Sequence, residues 1–195
     1  MRPSHLFPLG NKKNILMKKL TLYPQRLAAL MLLPMASAVF SAPLELVKPH
    51  ELIAESQLSS AHVAMLETVA RRYATFWNTG DEALAREALA DNFVDKTPPE
   101  GRKQGPEGAL LASRAFRTAV PDLSCEVEQM IIAGDRVVSH LHFRGHFTGT
   151  FGKLKGKGQK VDFIATDIYQ VRNNKIIANW HLEDNLTLMK QLGVL

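Results

Sequence analysis

Along this chain the spacing of apolar residues changes once, from a helical period to a strand period, near Pro121. Before that point Val63, Leu66, Val69, Ala70, Tyr73, Phe76 and Trp77 recur at steps of three and four, which puts them on one face of a long helix. Ser59 or Ser60 supplies a capping oxygen at its start, and Gly80 ends it. A shorter helix over 82–89 turns Leu84, Ala88 and Leu89 inward, and 92–96 reads as a short strand running into the Pro98-Pro99 loop. A third helix opens at Gly105-Pro106-Glu107. Pro106 sits where a missing N–H costs little, and Glu107 lies near the positive end of the helix dipole. Leu110, Leu111, Ala115, Phe116 and Val120 form its apolar side, and Pro121 stops it.

From Leu123 the period is two. Cys125, Val127, Gln129 and Ile131 alternate with Glu126, Glu128 and Met130 up to a turn at Gly134-Asp135. Two long strands follow, over 136–147 and 160–171, separated by a Gly- and Lys-rich loop at 148–159. Asn173-Asn174 suits a two-residue hairpin, because Asn tolerates the positive φ that such a turn requires. Residues 176–184 form the last strand and 186–192 a closing helical turn. Helices first and an antiparallel meander afterwards make an α+β domain, with the helices packed on one face of a curled sheet. The segment 39–58 has two prolines and no clear period, and reads as a tether or a short preliminary helix before a folded domain at 59–195.

Net charge of +5 and a pI near 9.4 point at first to a nucleic-acid or membrane-surface partner. Position removes that reading. Arg2, Lys12, Lys13, Lys18, Lys19 and Arg26 precede Ala38 with no acid among them, leaving 18 basic against 19 acidic residues from Val39 onward. No nucleic-acid partner is therefore expected. Lys18, Lys19 and Arg26, the apolar run 27–35 and the small residues Ala36-Ser37-Ala38 together read as a secretory signal cleaved after Ala38. The run is shorter than the roughly 20 apolar residues needed to span a bilayer, so no integral membrane segment is expected once the leader is removed. Met17, directly before Lys18-Lys19, offers an alternative start. The expected location is periplasmic or secreted. Cys125 is the only cysteine, so no intramolecular disulfide can form and stability must come from the core.

Several stretches carry a resemblance. They are Tyr73-x-x-Phe76-Trp77-Asn78-x-Gly80-Asp81, Asp91-Asn92-Phe93-Val94-Asp95, Gly105-Pro106-Glu107-Gly108, Pro121-Asp122-Leu123, Gly134-Asp135-Arg136-Val137-Val138, and Lys175-Ile176 to Trp180-x-x-x-Asp184 with Gln191-Leu192-Gly193. In order and spacing, over about residues 65–193, the chain resembles the SnoaL-like polyketide cyclases, an ester-cyclase-type branch of the nuclear transport factor two-like superfamily. The resemblance implies a cone-shaped α+β barrel, three N-terminal helices packed on a curled antiparallel sheet around a small-molecule pocket. It also implies a homodimer formed through the outer sheet face, and cofactor-free ring closure by an aldol step. The acid/base on the last strand of such proteins matches Asp184 here. Sibling families isomerise, dehydrate or hydrolyse, so the fold alone does not choose the reaction. The chain departs from the pattern at Phe147 and Lys96, where members commonly carry histidine.

Residue chemistry supplies its own candidates. Asp184, Leu182 and Trp180 share a strand face, so a pocket on that face would set the carboxylate beside an aromatic wall and raise its pKa toward acid/base work. The alternative makes Asp184 the N-cap of the closing helix. His140, His142, Arg144 and His146 also share a face. They either line the pocket, with His142 or His140 orienting a substrate, or face outward while Ser139, Leu141 and Phe143 face in. No carboxylate motif completes a metal site around His140 and His142, and no metal is expected. Asp167 lies in an otherwise apolar row with Tyr169, either as a catalytic group or as half of a buried pair. Tyr73, Trp77 and Asn78 end the first helix where it would cover a pocket mouth, so they are candidates for ligand contact, or for core. A phosphate-cradling glycine loop, a Ser–His–acid motif, a CxxC pair and a dinucleotide fingerprint are all missing, and no cofactor is expected. A non-catalytic binding or interaction module on the same fold is the rival reading.

Overall fold

The computed structural model describes residues 45–195. The proposed leader, its cleavage site and the first part of the 39–58 segment lie outside the described residues.

Helix α1 (Ser60–Thr79) begins where Ser59 Oγ accepts the N–H of His62 and ends at Gly80, whose φ of 79° closes the last turn with an N–H to the Phe76 carbonyl. Of its predicted stripe Leu66, Val69, Ala70, Tyr73 and Phe76 are buried, and Val63 and Trp77 are partly so. Asp81 caps α2 (Glu82–Ala88), and β2 (Leu89–Asp95) follows directly. Helix α3 (Pro106–Ala119) starts on Pro106 as expected.

Strands β3 (Ser124–Ala133), β4 (Arg136–Phe147), β7 (Gln159–Arg172) and β8 (Lys175–Glu183) form the antiparallel meander. Asn173 and Asn174 take φ of 51° and 58° in the β7–β8 turn, the left-handed pair that a tight hairpin needs. Helix α4 (Asn185–Leu192) closes the chain by burying Leu188 and Leu192. With an edge strand β1 (Pro49–Ala54), the six-stranded sheet has the order β1-β3-β4-β7-β8-β2; it is curled and not closed. This is the expected α+β cone, with helices on the inner face of the sheet.

Two segments differ from expectation. The presumed tether contains β1 (Pro49–Ala54), an edge strand parallel to β3. Its side chains are mostly exposed, so no apolar alternation marks it. Long-range bonds fix the run before it: Arg71 donates through Nε to the Val47 carbonyl at 2.8 Å and through NH2 to that of Leu46 at 2.9 Å. The loop 148–159 contains a small ribbon, β5 (Thr150–Phe151) with β6 (Leu154–Lys155), paired separately from the main sheet.

Two bulges decide which side chains turn inward. Val127 pairs with Leu141 but Gln129 with His140, so Glu128 is an extra residue in β3. Cys125 and Val127 are buried before it, and Met130 and Ile132 after it, in place of Gln129 and Ile131. In β8, Ile176 pairs with Val171 but Ala178 with Gln170, so Ile177 is extra. Beyond it the inward set is Asn179, His181 and Glu183, while Trp180 and Leu182 turn outward.

Candidate functional site

Between the inner sheet face and helices α1, α3 and α4 lies a cavity of about 290 Å³. Most of its wall is aromatic. Phe143 and Phe163, on neighbouring strands, stack at 5.1 Å with their planes 13° apart; Trp77 meets Phe143 edge-on at 6.1 Å, and Phe116 meets Phe163 at 5.8 Å. Such a surface removes a flat apolar ligand from water.

Polar groups line the same cavity: Asp95, Arg102, Asp167, Asn179, His181 and Glu183. Asp167 and His181 are direct partners across β7 and β8, which sets their Cβ atoms about 4.5–5.5 Å apart. Asp167 Oδ2 accepts the Tyr169 hydroxyl at 2.8 Å, and Oδ1 accepts Asn179 Nδ2 at 2.9 Å. Burial nonetheless pushes its carboxyl above the ordinary carboxylate range, against those two hydrogen bonds and the nearby His181; Glu183 adds a smaller push upward. Burial and the Asp167 charge together raise the Tyr169 hydroxyl well above its usual value.

His181 is held from several sides. Its backbone N–H donates to Thr97 Oγ1 at 2.8 Å, and that hydroxyl donates back to its carbonyl at 2.9 Å. Nε2 lies 3.2 Å from Asp95 Oδ2, and Nδ1 lies 3.7 Å from Glu183 Oε1. Arg102 NH1 is 3.6 Å from Asp95 Oδ2 and 3.4 Å from His181 Nε2. Asp95 is steadied in turn. Gln104 brackets its backbone with two 2.9 Å bonds, and Asp95 Oδ1 accepts the Thr97 N–H at 3.0 Å. The result is a histidine between two carboxylates, beside a buried acid, at the edge of an aromatic wall.

The sequence candidates divide. Tyr73, Trp77 and Asp167 line the cavity; Asn78, His140, His142, Trp180 and Asp184 do not. Asp184 takes the capping alternative: Oδ1 accepts the Thr187 N–H at 3.0 Å and Oδ2 its hydroxyl at 2.7 Å. Those bonds, the hydroxyl's first, hold its carboxyl below the ordinary range, the reverse of what a general acid needs. The bulge at Ile177 is the physical reason, because it turns the Trp180–Leu182 face outward. Trp180 instead sits under the Arg136 guanidinium at 5.5 Å and Lys96 Nζ at 5.9 Å.

The histidine row also faces outward. His142 bridges Asp162 and Glu128, His140 Nδ1 meets Thr166 Oγ1 at 2.9 Å, and His146 Nδ1 meets Asp122 Oδ2 at 2.7 Å. Ser139, Leu141 and Phe143 take the inner side. Asn78 Oδ1 accepts the Cys125 N–H at 2.9 Å and so pins the end of α1 to β3. On the outer face His50, Glu126 and Glu128 bring possible ligand atoms within 4.8 Å of one another. Glu126 is held by Arg144 at 2.6 Å, and Glu128 by His50 and His142 at 3.1 Å each, so these donors are already engaged.

Sequence reasoning missed His181, Glu183, Asn179, Asp95 and Arg102. The first three lie inside the very segment that ends in Asp184, offset by one residue. Alternation defines two faces, and only the register of β8 against β7 tells which is inward. No glycine or proline marks the bulge that sets it.

Among the described residues no helix is long and apolar enough to cross a membrane. Comparison with curated proteins finds no match. Among solved structures the chain is similar to a proposed polyketide cyclase from Bacillus cereus, with 39% identity, a TM-score of 0.71, and coverage of 77% of this chain and 95% of that one. TsrD from Streptomyces laurentii is 25% identical over 71% of this chain and 100% of that one, with a TM-score of 0.61. A proposed SnoaL-like polyketide cyclase from Jannaschia sp. is 22% identical over 72% and 99%, with a TM-score of 0.62, a likeness of fold. The family model described as SnoaL-like polyketide cyclase matches residues 67–192. With that match across the helices, the sheet and the cavity walls, the chain belongs to the SnoaL-like polyketide cyclase family.

Proposed function

We propose that the cavity takes a small, largely apolar, oxygenated molecule and catalyses its isomerisation or ring closure by proton transfer, without a cofactor. The observation that carries this reading is the direct pairing of Asp167 with His181 at the polar wall of an aromatic cavity.

Their environments separate their roles. Asp167, whose carboxyl burial pushes above the ordinary carboxylate range, donates to a substrate carbonyl oxygen in its acid form; either of its oxygens has a second lone pair free to hold that proton. With its Nε2–H directed at Asp95, His181 offers Nδ1 as the base. It removes a proton from the carbon next to that carbonyl, and Asp95 and Glu183 flank the imidazolium that forms. In ring closure the enol carbon attacks a second carbonyl of the same molecule, whose oxygen takes the proton held by His181, while the enol hydroxyl returns its proton to Asp167. In isomerisation His181 delivers its proton to another carbon as the enol hydroxyl returns its own to Asp167. Either path conserves the mass of the substrate and restores both side chains to their starting states.

Export rests on the leader pattern through Ala38. Assembly as a homodimer rests on the outer sheet face, where Ile164, Ile168 and Leu182 are 43%, 40% and 78% exposed.

The test starts from whatever co-purifies with the protein. A native mass spectrum identifies the retained molecule, which is then returned to emptied protein and followed by chromatography with mass detection. The expected result is a product of equal mass and different retention, formed by wild type and lost in His181→Gln. Retention of the molecule with no conversion under any condition favours the binding-module reading instead.

A further inference from the structure

Acids and bases nearly balance over the folded domain as a whole, but within it the charge is segregated. From Arg136 to Val161 the chain carries no acid, and Lys153, Lys155, Lys157 and Lys160 follow one another closely there. All four are exposed, and only Lys160 has an acidic partner among the described residues, Asp162. The first three lie on and beside the β5–β6 ribbon. That ribbon is paired separately from the main sheet and held against α3, with the Gly149 N–H donating to the Ala119 carbonyl at 2.9 Å.

The ribbon also belongs to the cavity. Phe151 lines it, and Leu154, the direct partner of Phe151, shares that face and is 37% exposed. Helix α4 lines the same cavity with Leu188 and Met189; its Leu186, 58% exposed, lies one turn from the exposed Lys190. The acids on the flanking strands are engaged: Asp162 with Lys160 and His142, Glu183 with His181, and Asp184 with Thr187. One edge of the cavity therefore mixes exposed leucines with lysines free of acidic partners. Lysine alone suits water. Exposed leucine among lysines suits an anionic lipid surface, where the amines meet phosphates and the apolar side chains leave water.

We propose that this edge docks on an anionic phospholipid bilayer, with Leu154 and Leu186 entering the headgroup layer and Lys153, Lys155, Lys157 and Lys190 meeting lipid phosphates, so that the cavity fills from the membrane. Each lysine at such a surface is worth about fivefold in binding. Filling from the bilayer rests on the proposed small-molecule role of the cavity. Docking does not, and the test reads docking alone.

Cys125 is buried, so a thiol-reactive, polarity-sensitive dye goes to an introduced cysteine. Leu154→Cys places it on the ribbon. Ala61→Cys places it next to His62, which bonds the Gly134 carbonyl, and so by the turn at the opposite end of β4. Each full-length labelled protein is mixed with vesicles of phosphatidylcholine alone, or of equal parts phosphatidylcholine and phosphatidylglycerol. The dye at 154 should brighten and shift to shorter wavelength with the anionic vesicles only, and revert in about 0.5 M salt. The dye at 61 should not change, whereas attachment through the leader would move both dyes alike or neither. With Lys153→Gln, Lys155→Gln and Lys157→Gln combined, the lipid concentration at half response should rise at least about tenfold. No response at 154, the same response to both vesicle types, an equal response at 61, or an unchanged midpoint in the triple variant overturns the inference. A response to a DNA duplex without one to the vesicles does so too. Each of these outcomes leaves the small-molecule reading standing, while failure to find any retained or converted molecule strikes that reading and leaves docking untouched.

Discussion

Asp167 and His181 sit opposite one another on β7 and β8, both turned into the same cavity, and neither is the acid that the chain's most recognisable segment advertises. One is a buried acid under two hydrogen bonds; the other is an imidazole between two carboxylates. Their separation in character, more than either residue alone, is what acid/base chemistry needs.

The raised carboxyl of Asp167 has a thermodynamic signature. A group whose folded pKa exceeds its unfolded value holds its proton more tightly in the native state. Stability from that source is fully present below the unfolded pKa, about pH 4, and is lost as pH rises through the higher folded value. Denaturant melts of wild type and Asp167→Asn across this range should therefore show a wild-type advantage that shrinks with rising pH. A gap that widens instead would contradict the assignment.

Asp162 behaves in the opposite sense. Hydrogen bonds from Lys160, and then from His142, lower its carboxyl to about 2. Its contribution is present above the unfolded pKa of about 4 and is lost as pH falls through the folded value. The stability gap between wild type and Asp162→Asn should close on acidification below about pH 4, as urea titrations would show.

Replacement of the capping acid separates structure from chemistry. Asp184→Ala should lower Tm by about 2–5 °C through loss of both Thr187 bonds. Conversion of the retained molecule should stay within about twofold of wild type, where removal of a true acid or base typically costs about a hundredfold or more.

A glycine fixes how the β4–β5 connection passes α3. A Cβ on Gly149 would lie 1.8 Å from the Thr118 carbonyl oxygen, which is backbone and cannot step aside. Gly149→Ala should cost about 1–3 kcal/mol in a denaturant titration. Gly134→Ala meets nothing within 4 Å, but its φ of 55° makes it only a control for backbone strain.

Outer-face association is open to direct measurement. Ile164→Lys combined with Leu182→Lys should shift the mass seen by light scattering from dimer to monomer, since a charge on each strand opposes close approach of two sheets. An unchanged dimer mass would place the contact elsewhere.

Much of the fold was legible because burial and period coincide in it. The stripe from Val63 to Trp77, the Pro106 start and the Asn173-Asn174 turn each carry a local physical signal that the structure reproduces. Strand β1 was not legible, since an exposed edge strand needs no apolar alternation. Of the site, Tyr73, Trp77 and Asp167 could be found as polar or aromatic members of inward rows. His181 and Glu183 could not, because the single extra residue Ile177 inverts the faces of β8 and leaves no mark in composition. Asp95 and Arg102 reach the cavity only through the parallel pairing of β2 with β8, which local pattern does not encode.

Movement of a proton to and from carbon by Asp167 and His181 together can be read directly. Deuterium exchange at the carbon next to the carbonyl of 2-tetralone, followed by proton NMR in heavy water, reads that step without knowledge of the natural substrate. Wild type should catalyse this exchange, slowed by about a hundredfold or more in both Asp167→Asn and His181→Gln and largely kept in Asp184→Asn. Exchange that survives in the first two variants and vanishes in the third would contradict it.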